Sequence, residues 1–483
     1  MAATATVQIN QLIGDRWLAG EGEETVELTS PIDGARLGDV SSASDTQIDA
    51  AVAVAETAGR DWARRSPFDR AEVLLSVGAE IERRKEEIAR AVSLEQGKPY
   101  HGEALPEVDD LLSLLRNNAG DATRLETPVL PSPDPNKRVI TVRAPLGVVA
   151  VVSPWNYPTL PGLQAFPAIA VGNAVVCKPS EITPWTAQLL GEAMLAGGLP
   201  PGVFNLVQGA GRVGEHLVTH HGVTGIYFVG SSGTAERIVK AAGLKRTLIE
   251  ASGNGPVVVC ADGDIQKAAE ALTVGALSNA GQVCTSTGRV LVERSVHDEL
   301  LAAVVEQAGG WLMGHPLTEG TAIGPMAHLP TVERVRAQVD EALELGADLA
   351  YRAQAPSDVG SNLYVEPTVL GNVPAQARVH HEETFGPVIP LVPFDDDEHA
   401  FRLAAMSQMG LQGAVFTSSI RRAFRYAENL RVGGLVVNDG TFGALPPIPY
   451  GGAAGSKTGW GKVGGRFELE DLSDLRVIAL DVS

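Results

Sequence analysis

The hydrophobic positions of the chain recur at two different periods, which predict helices in some segments and strands in others. From Pro67 to Gly97 apolar residues return every three, four or seven positions, as on a helix with one buried face. Charged residues at 82–87 fill the other positions and predict a solvated face. Residues 127–138 then contain four prolines, which remove hydrogen-bond donors and favour extended backbone. They predict a linker or an edge excursion.

After this segment, short β-branched apolar runs alternate with helical stretches. The first series of runs covers 147–153, 173–178, 203–207, 225–230 and 247–251. The second series covers 256–260, 288–293, 388–394, 413–417 and 433–438. This alternation is typical of doubly wound parallel sheets, so two α/β domains are expected. A last strand-like run at 469–480 predicts pairing with another segment or another subunit.

Composition excludes several classes of protein. The 483 residues carry 38 Lys and Arg against 58 Asp and Glu, and a net charge of −20 argues against a nucleic-acid partner. Three cysteines provide neither a disulfide framework nor a zinc-binding spacing, so no metal is expected. The first residues lack the features of a signal peptide, and no apolar run approaches the length of a membrane span. A cytoplasmic protein without membrane contact is predicted.

Two glycine-containing turns are candidates for binding phosphate. Gly209–Gly214 reads GAGRVG after a predicted strand, but no acidic residue closes the next strand about 20 residues later, as a dinucleotide fingerprint requires. Phe228–Thr234 places Gly230 and Ser231 where a strand runs into a helix, and free N–H groups at a helix start suit a phosphate. The alternative is an N-capping serine without a ligand.

Polar residues also follow the predicted strand at 173–178. Lys178, Ser180 and Glu181 stand at its carboxyl end, the edge of an α/β sheet where ligands collect. The lysine and the glutamate are suited to hydrogen bonds with ribose hydroxyls. A strand-end lysine followed by an ordinary helix start explains the same residues.

Cys284 is the candidate nucleophile. It lies in a stretch rich in glycine and hydroxyl residues, whereas Cys177 and Cys260 lie inside apolar runs as small buried side chains. A thiol of pKa about 8.5 needs a base at neutral pH. No histidine is close in sequence, and Glu250 at the end of a predicted strand is the carboxylate alternative.

Six motifs occur in a fixed order along the chain. They are PWNYP at 154–158, PAIAVGNAVVCKPSE at 167–181, FVGSSG at 228–233, E-x-x-G-x-x-P at 250–256, GQVC at 281–284 and EETFGP at 382–387. Glu250 and Cys284 are 34 residues apart. This order and spacing resemble the aldehyde dehydrogenase superfamily, and IGDRWLAG and LEQGKP near the start extend the resemblance along nearly the whole chain.

The resemblance implies an α/β fold with three parts. A Rossmann-like cofactor domain is expected from residues 1–121 and 147–250, and an α/β catalytic domain from 251–449. A small β bridging element is expected from 122–146 and 467–483, which the family uses for subunit pairing. A homodimer or homotetramer follows from the resemblance.

The resemblance also implies roles for the motif residues. Cys284 would attack an aldehyde, Asn156 and the Cys284 N–H would hold the oxyanion, and Glu250 would activate the water that hydrolyses the thioester. The implied cofactor residues are Trp155, Lys178, Ser180, Glu181, Gly230, Ser231, Glu383 and Phe385. Among them, Lys178 and Glu181 would bind the adenosine ribose, and Ser231 the pyrophosphate. Glu383 and Phe385 would contact the nicotinamide ribose. Because a carboxylate repels a 2′-phosphate, Glu181 favours NAD, with NADP as the alternative. The resemblance excludes the GAGRVG turn as the pyrophosphate site.

Some positions depart from the family pattern and leave alternatives open. Ala251 and Ser252 stand where the family has Leu-Gly, Ala235 replaces a glycine, and Ala454 replaces a lysine. A CoA-acylating relative and a non-catalytic protein on the same fold are the alternatives to a hydrolytic aldehyde dehydrogenase. The substrate pocket is expected near 159–166, Cys284 and Phe442. Residues 437–442 contain no Lys or Arg, which disfavours a carboxylate-bearing semialdehyde.

Overall fold

A computed structural model describes residues 6–355, 360–443 and 448–483. The first five residues of the predicted cofactor domain, and residues 356–359 and 444–447 of the predicted catalytic domain, lie outside the described residues. Within the described ranges, no helix has the length and apolar character needed to cross a membrane.

The described residues form strands and helices along the whole chain. The strands are β1 (Val7–Ile9), β2 (Gln11–Ile13), β3 (Arg16–Leu18), β4 (Thr25–Thr29), β5 (Arg36–Ser41), β6 (Val129–Leu130), β7 (Lys137–Pro145), β8 (Val148–Val152), β9 (Ala174–Lys178), β10 (Phe204–Leu206), β11 (Gly225–Val229), β12 (Arg246–Glu250), β13 (Pro256–Val259), β14 (Arg289–Glu293), β15 (Asp348–Arg352), β16 (Thr368–Gly371), β17 (Val388–Phe394), β18 (Gln412–Phe416), β19 (Gly434–Val437), β20 (Gly459–Trp460) and β21 (Ser473–Asp481). The helices are α1 (Asp45–Ala63), α2 (Pro67–Arg83), α3 (Lys85–Gln96), α4 (Leu105–Ala122), α5 (Leu160–Ala170), α6 (Pro184–Ala196), α7 (Gly211–Thr219), α8 (Ser232–Ala242), α9 (Ile265–Leu277), α10 (His297–Gly309), α11 (Leu329–Glu344), α12 (Arg378–His381), α13 (Asp397–Ala404), α14 (Ile420–Asn429) and α15 (Gly465–Asp471).

An eight-stranded sheet has the order β20-β12-β11-β8-β9-β10-β2-β3, and its five central strands are parallel. Successive residues of β8 enter two separate cores: Val149 and Val151 pack on one face, Val148 and Ala150 on the other. This alternation is expected for a strand that helices cover on both faces. The predicted doubly wound sheet is confirmed, as is the burial of Cys177 in its core.

A seven-stranded sheet follows, in the order β15-β16-β17-β14-β13-β18-β19. Apart from the antiparallel edge strand β15, its strands run parallel. It has its own core, which includes Cys260 as predicted. All ten predicted strand runs are found in these two sheets, with their ends within one or two residues of the prediction.

The proline-rich segment and the carboxyl-terminal run meet in a small sheet of order β21-β7-β6. β21 pairs antiparallel with β7 from Ser473–Pro145 to Asp481–Lys137. The terminal run therefore pairs within the chain, and it begins only after helix α15. A further sheet of order β1-β5-β4 lies near the amino terminus.

The helical pattern from Pro67 to Gly97 is interrupted, which the sequence analysis did not predict. Arg84 leaves the helical conformation (φ −100°, ψ 9°) between α2 and α3. Its largely buried guanidinium forms ion pairs with Glu87 at 2.8 Å and with Glu192 of α6 at 2.9 Å. The predicted charged face thus includes a residue that ties the helix junction to a neighbouring helix.

Candidate active site

The site lies where the carboxyl edge of the eight-stranded sheet meets the amino edge of the seven-stranded sheet. Asn156 follows β8, and Glu250 is the last residue of β12. Cys284 precedes β14, and Glu383 precedes β17. Parallel strands present equivalent ends at one edge, which explains why motifs far apart in sequence converge here.

The chain passes very close to Cys284 at Gly253. A Cβ on Gly253 would lie 1.9 Å from the Cys284 carbonyl oxygen, so a side chain there forces the backbone to move. The neighbouring departures from the family pattern are accommodated. Ala251 is buried, and the Ser252 hydroxyl accepts a hydrogen bond from the Ser232 N–H at 3.2 Å.

A strained turn precedes the nucleophile. Asn279 and Ala280 both have φ of 51°, a conformation that costs non-glycine residues on the order of 1–3 kcal/mol. Gln96 Nε2 donates to Asn279 Oδ1 at 2.9 Å, and the Glu103 carboxylate accepts from the Asn279 N–H at 2.6 Å. These contacts with the end of α3 and with the segment before α4 hold the turn in place.

Cys284 and Glu250 are in direct contact. The Cys284 thiol and Tyr450 lie close enough to the Glu250 carboxyl to lower its pKa. Burial outweighs both and raises the pKa of Glu250 to about 7. Burial and the Glu250 carboxylate together raise the pKa of Cys284. The resting thiol is therefore protonated, and the Glu250 carboxyl lies beside it.

Two residues that line the cavity, Asn156 and Cys284, have an N–H group without an acceptor among the described residues. Asn156 is buried and donates one Nδ2 hydrogen to the Gln282 carbonyl at 3.1 Å, while Asn279 donates to the Asn156 carbonyl at 2.9 Å. A side-chain amide has two hydrogens, so one remains free. In the described part of the chain, no acceptor is bound to the Cys284 N–H either. This pair is suited to binding a negatively charged oxygen.

Eight of the predicted site residues line one cavity of about 500 Å³; they are Trp155, Asn156, Gly230, Ser231, Glu250, Cys284, Glu383 and Phe385. The Glu383 carboxylate accepts from the Gly253 N–H at 2.7 Å. The Phe385 ring packs edge-on against Trp155 at 5.6 Å, and its φ of 57° is unusual for an aromatic residue. Ser231 caps α8 and accepts from the Thr234 N–H at 3.3 Å, and its role toward a phosphate stays a prediction.

The other three predicted residues lie beside this cavity, at the end of β9. Lys178 Nζ and the Glu181 carboxylate form an ion pair of 2.9 Å. Burial by itself raises the pKa of Glu181, but Lys178 and hydrogen bonds bring it below its usual range. The Ser180 hydroxyl accepts from the Ile182 N–H at 3.2 Å, a local turn contact.

Other positions from the sequence analysis lie elsewhere. Gly209 of the GAGRVG turn packs against Ser42, away from the residues that line the cavity. Ala454 is exposed outside the same cavity, and Ala235 is buried in α8. Nowhere in the described ranges do three His, Cys, Asp or Glu side chains form a metal-binding group.

Sequence reasoning missed several residues of the site. Tyr450 contacts Glu250, the His328 ring lies 5.0 Å from Trp155, and Asn279 anchors the strained turn. Arg334 also lines the cavity. Asn279, five residues before Cys284, was the one with a usable signal, because Asn tolerates positive φ. The others come from segments without a distinctive local pattern.

A cysteine, a carboxylate and a side-chain amide thus lie together in one cavity between two α/β sheets. Residues 17–478 match the aldehyde dehydrogenase family. The chain is 32% identical to a succinate-semialdehyde dehydrogenase [NADP(+)] of Escherichia coli (strain K12), covering 97% of each chain. It is 33% identical to a vanillin dehydrogenase of Corynebacterium glutamicum, again over 97% of each.

A crystal structure of betaine aldehyde dehydrogenase from Staphylococcus aureus in complex with NAD+ superposes with a TM-score of 0.93. It is 29% identical, with 99% of this chain and 95% of that chain covered. The chain belongs to the aldehyde dehydrogenase family. It is an NAD(P)-dependent enzyme of aldehyde oxidation.

Proposed function

We propose that this enzyme oxidises an aldehyde to the carboxylic acid through a thioester on Cys284. The contact between the Glu250 carboxyl and the Cys284 thiol carries the proposal, because it joins a nucleophile to a base in a buried cavity. The relatives' names differ in the charge of the aldehyde: succinate semialdehyde carries a carboxylate, and vanillin does not. They therefore support the reaction without choosing a substrate.

In the first half of the reaction, the Cys284 sulfur bonds to the aldehyde carbon while its proton passes to Glu250. The carbonyl oxygen becomes an oxyanion, which accepts from the free Asn156 Nδ2–H and the Cys284 N–H. A bound nicotinamide supplies the hydride acceptor. Loss of hydride from the carbon leaves a thioester on Cys284.

In the second half, Glu250 returns its first proton to solvent and accepts one from a water molecule. The hydroxyl attacks the thioester carbon, the carbon–sulfur bond breaks to release the carboxylic acid, and the Cys284 thiolate takes the proton from Glu250 to regenerate the thiol. The unpartnered, buried Oε1 of Glu250 supports this role, since it leaves a lone pair for a water.

The residues at the carboxyl edge fit a nicotinamide dinucleotide. The Ser231 hydroxyl and the start of α8 are suited to the pyrophosphate, and the Lys178–Glu181 pair to the adenosine ribose. Glu383 and Phe385 would contact the nicotinamide ribose, with Trp155 behind them. Gly230 precedes Ser231, and Ser180 supports the turn that carries Glu181.

Cofactor choice is expected to depend on Glu181, whose ionised carboxylate favours NAD. Replacing it by serine removes a charge that opposes a 2′-phosphate, so the ratio of kcat/KM for NADP to that for NAD should rise by about tenfold or more. Initial rates with each cofactor at one fixed aldehyde concentration measure this ratio. Glu306→Ser, on the exposed surface of α10, is the matched control. An unchanged ratio in Glu181→Ser refutes the assignment.

A CoA-acylating activity is the second candidate, and Glu250 argues against it because hydrolysis needs a base of this kind. Reduction of NAD or NADP is therefore expected with a panel of aldehydes in the absence of CoA, with the carboxylic acid as product. Absorbance at the reduced nicotinamide band and product analysis test both points. Turnover only with CoA assigns the acylating reaction, and silence across the panel contradicts aldehyde oxidation by this site.

The domain division also remains a proposal. We assign 1–121 and 147–250 to the cofactor domain, 251–449 to the catalytic domain, and 122–146 with 467–483 to the bridging element. The exposed apolar residues of β21 support a homodimer or homotetramer built on this element, among them Leu475, Val477 and Leu480.

A further inference from the structure

The lining of the cavity has two halves with different charge, one made of the predicted cofactor residues and the other mainly of α4, the start of α5 and nearby aromatic residues. The half formed by the cofactor residues contains its basic side chains. The His328 ring packs on Trp155 at 5.0 Å, and Arg334 donates to the Thr384 carbonyl at 3.5 Å, next to Glu383. These two basic side chains belong to the dinucleotide side, and burial lowers the pKa of His328.

The other half is the space left for the aldehyde, and its wall is mostly apolar. It is formed by α4, by the start of α5 and by aromatic residues near Cys284; the main apolar members are Leu111, Leu114, Leu160, Leu163, Phe442 and Tyr450. No Lys or Arg lines this half in the described ranges. An apolar body therefore fits here better than a polar chain.

Of the two α4 carboxylates that line this half, one is compensated by a cation and, within the part of the chain that the structure describes, the other is not. Glu107 forms a buried ion pair with Lys98 and accepts from the Thr159 N–H at 2.9 Å. Lys98 Nζ also lies 3.5 Å from the centroid of the Tyr157 ring. The Lys98 ammonium group is therefore already paired with a carboxylate and an aromatic ring, and it is not free to bind a substrate anion.

Asp110 is the exception. It lies one turn after Glu107 on α4, lines the cavity, and is exposed. In the described structure it forms no ion pair or hydrogen bond, whereas the adjacent Asp109 is paired with Lys85 at 2.6 Å. Burial, Glu107 and Asp109 raise the pKa of Asp110, and Lys98 lowers it. Because the Asp110 carboxylate has no cation partner of its own among the described residues, a second negative charge nearby is unfavourable and a cation is favourable.

We propose that the enzyme takes uncharged or cationic aldehydes with an apolar body, and that Asp110 selects against aldehydes with an anionic group at the far end. This inference rests on the proposed oxidation at Cys284, and it assigns the substrate class of that site. The physical basis is Coulomb repulsion in a cavity whose walls exclude part of the solvent.

Three para-substituted benzaldehydes test the proposal: 4-methylbenzaldehyde, 4-carboxybenzaldehyde and 4-(trimethylammonio)benzaldehyde. Ring substituents alter intrinsic reactivity, so each ratio of kcat/KM is compared between variants rather than between compounds. In Asp110→Asn the anion-to-cation ratio should rise by about tenfold, and it should rise further in Asp110→Lys. Ser113→Lys adds a positive charge on the same exposed face. This variant should raise the anion-to-cation ratio while Asp110 stays unchanged.

Asp109→Asn is the matched control, because it removes the same charge from the neighbouring position outside the cavity lining. Its anion-to-cation ratio should change by less than about twofold. Added salt should shrink the effect of Asp110→Asn, as expected for an electrostatic rather than a packing change.

Failure of the charge selection and failure of the proposed function give different results. If the wild type oxidises the neutral aldehyde but the ratio is the same in Asp110→Asn and the wild type, the charge selection is wrong and the proposed oxidation stands. A wild type that prefers the carboxylate also overturns the selection alone. If no aldehyde reduces either cofactor, the proposed function fails, and the substrate inference fails with it.

Discussion

Cys284→Ala is expected to reduce kcat for aldehyde oxidation by about 10⁴-fold or more, because it removes the atom that carries every covalent intermediate. The N–H donors and the cavity remain, so binding of the cofactor should be retained. Stopped-flow and steady-state measurements of nicotinamide reduction give the loss, and quenching of tryptophan fluorescence gives cofactor affinity.

The control for Cys284→Ala is Cys260→Ala. Cys260 is buried in the core of the seven-stranded sheet and takes no part in the site. This variant tests whether loss of a sulfur atom elsewhere disturbs the fold, and it should keep activity close to that of the wild type. Residual activity of Cys284→Ala above about one per cent, with normal cofactor binding, would refute the covalent mechanism.

Glu250→Gln is the second large effect, with an expected loss of about 10²–10⁴-fold in kcat. Glutamine keeps the size of the side chain but cannot accept a proton at this position. The raised pKa of Glu250, about 7, also predicts the pH profile. Its basic form increases with pH, so kcat of the wild type should rise through about pH 7 and level off above it.

The variant should lose that acidic limb, which a purely structural defect does not explain. Glu250→Asp keeps the carboxyl and should recover part of the rate, although its shorter side chain moves the base away from Cys284. If Glu250→Gln turns over at the wild-type rate without CoA, the assignment of Glu250 as the base is wrong. If the acidic limb of the pH profile persists unchanged in Glu250→Gln, the group that titrates is not Glu250.

Much of the fold was predictable because strands and helices leave local patterns in the sequence. The β8 residues 148–151 alternate between two cores, and this is why a run of consecutive apolar residues indicated a strand covered on both faces. The interruption at Arg84 was not predictable in the same way. The residues on both sides follow one helical period, and only the ion pair with Glu192 on another helix distinguishes the position.

The residues of the candidate site were also predictable only in part. Its catalytic and cofactor candidates were found from motifs, since Cys284 and Glu250 carry chemistry that few other residue types provide. Tyr450 and His328 were missed, because neither aromatic residue stands in a pattern that differs from an ordinary loop. Asp110 was missed for a related reason: its neighbour Asp109 looks identical in sequence.

The sequence alone determined the order of the strands along the chain, the two α/β units and the candidate nucleophile, because backbone geometry and side-chain chemistry act over a few residues. Only the tertiary structure decided which carboxylates are paired and which pKa values are raised. Lys85 neutralises Asp109 and leaves Asp110 alone, and burial acts on Glu250 through segments that are distant in sequence. Electrostatic energies depend on distance and solvent exposure, which exist only after the chain has folded.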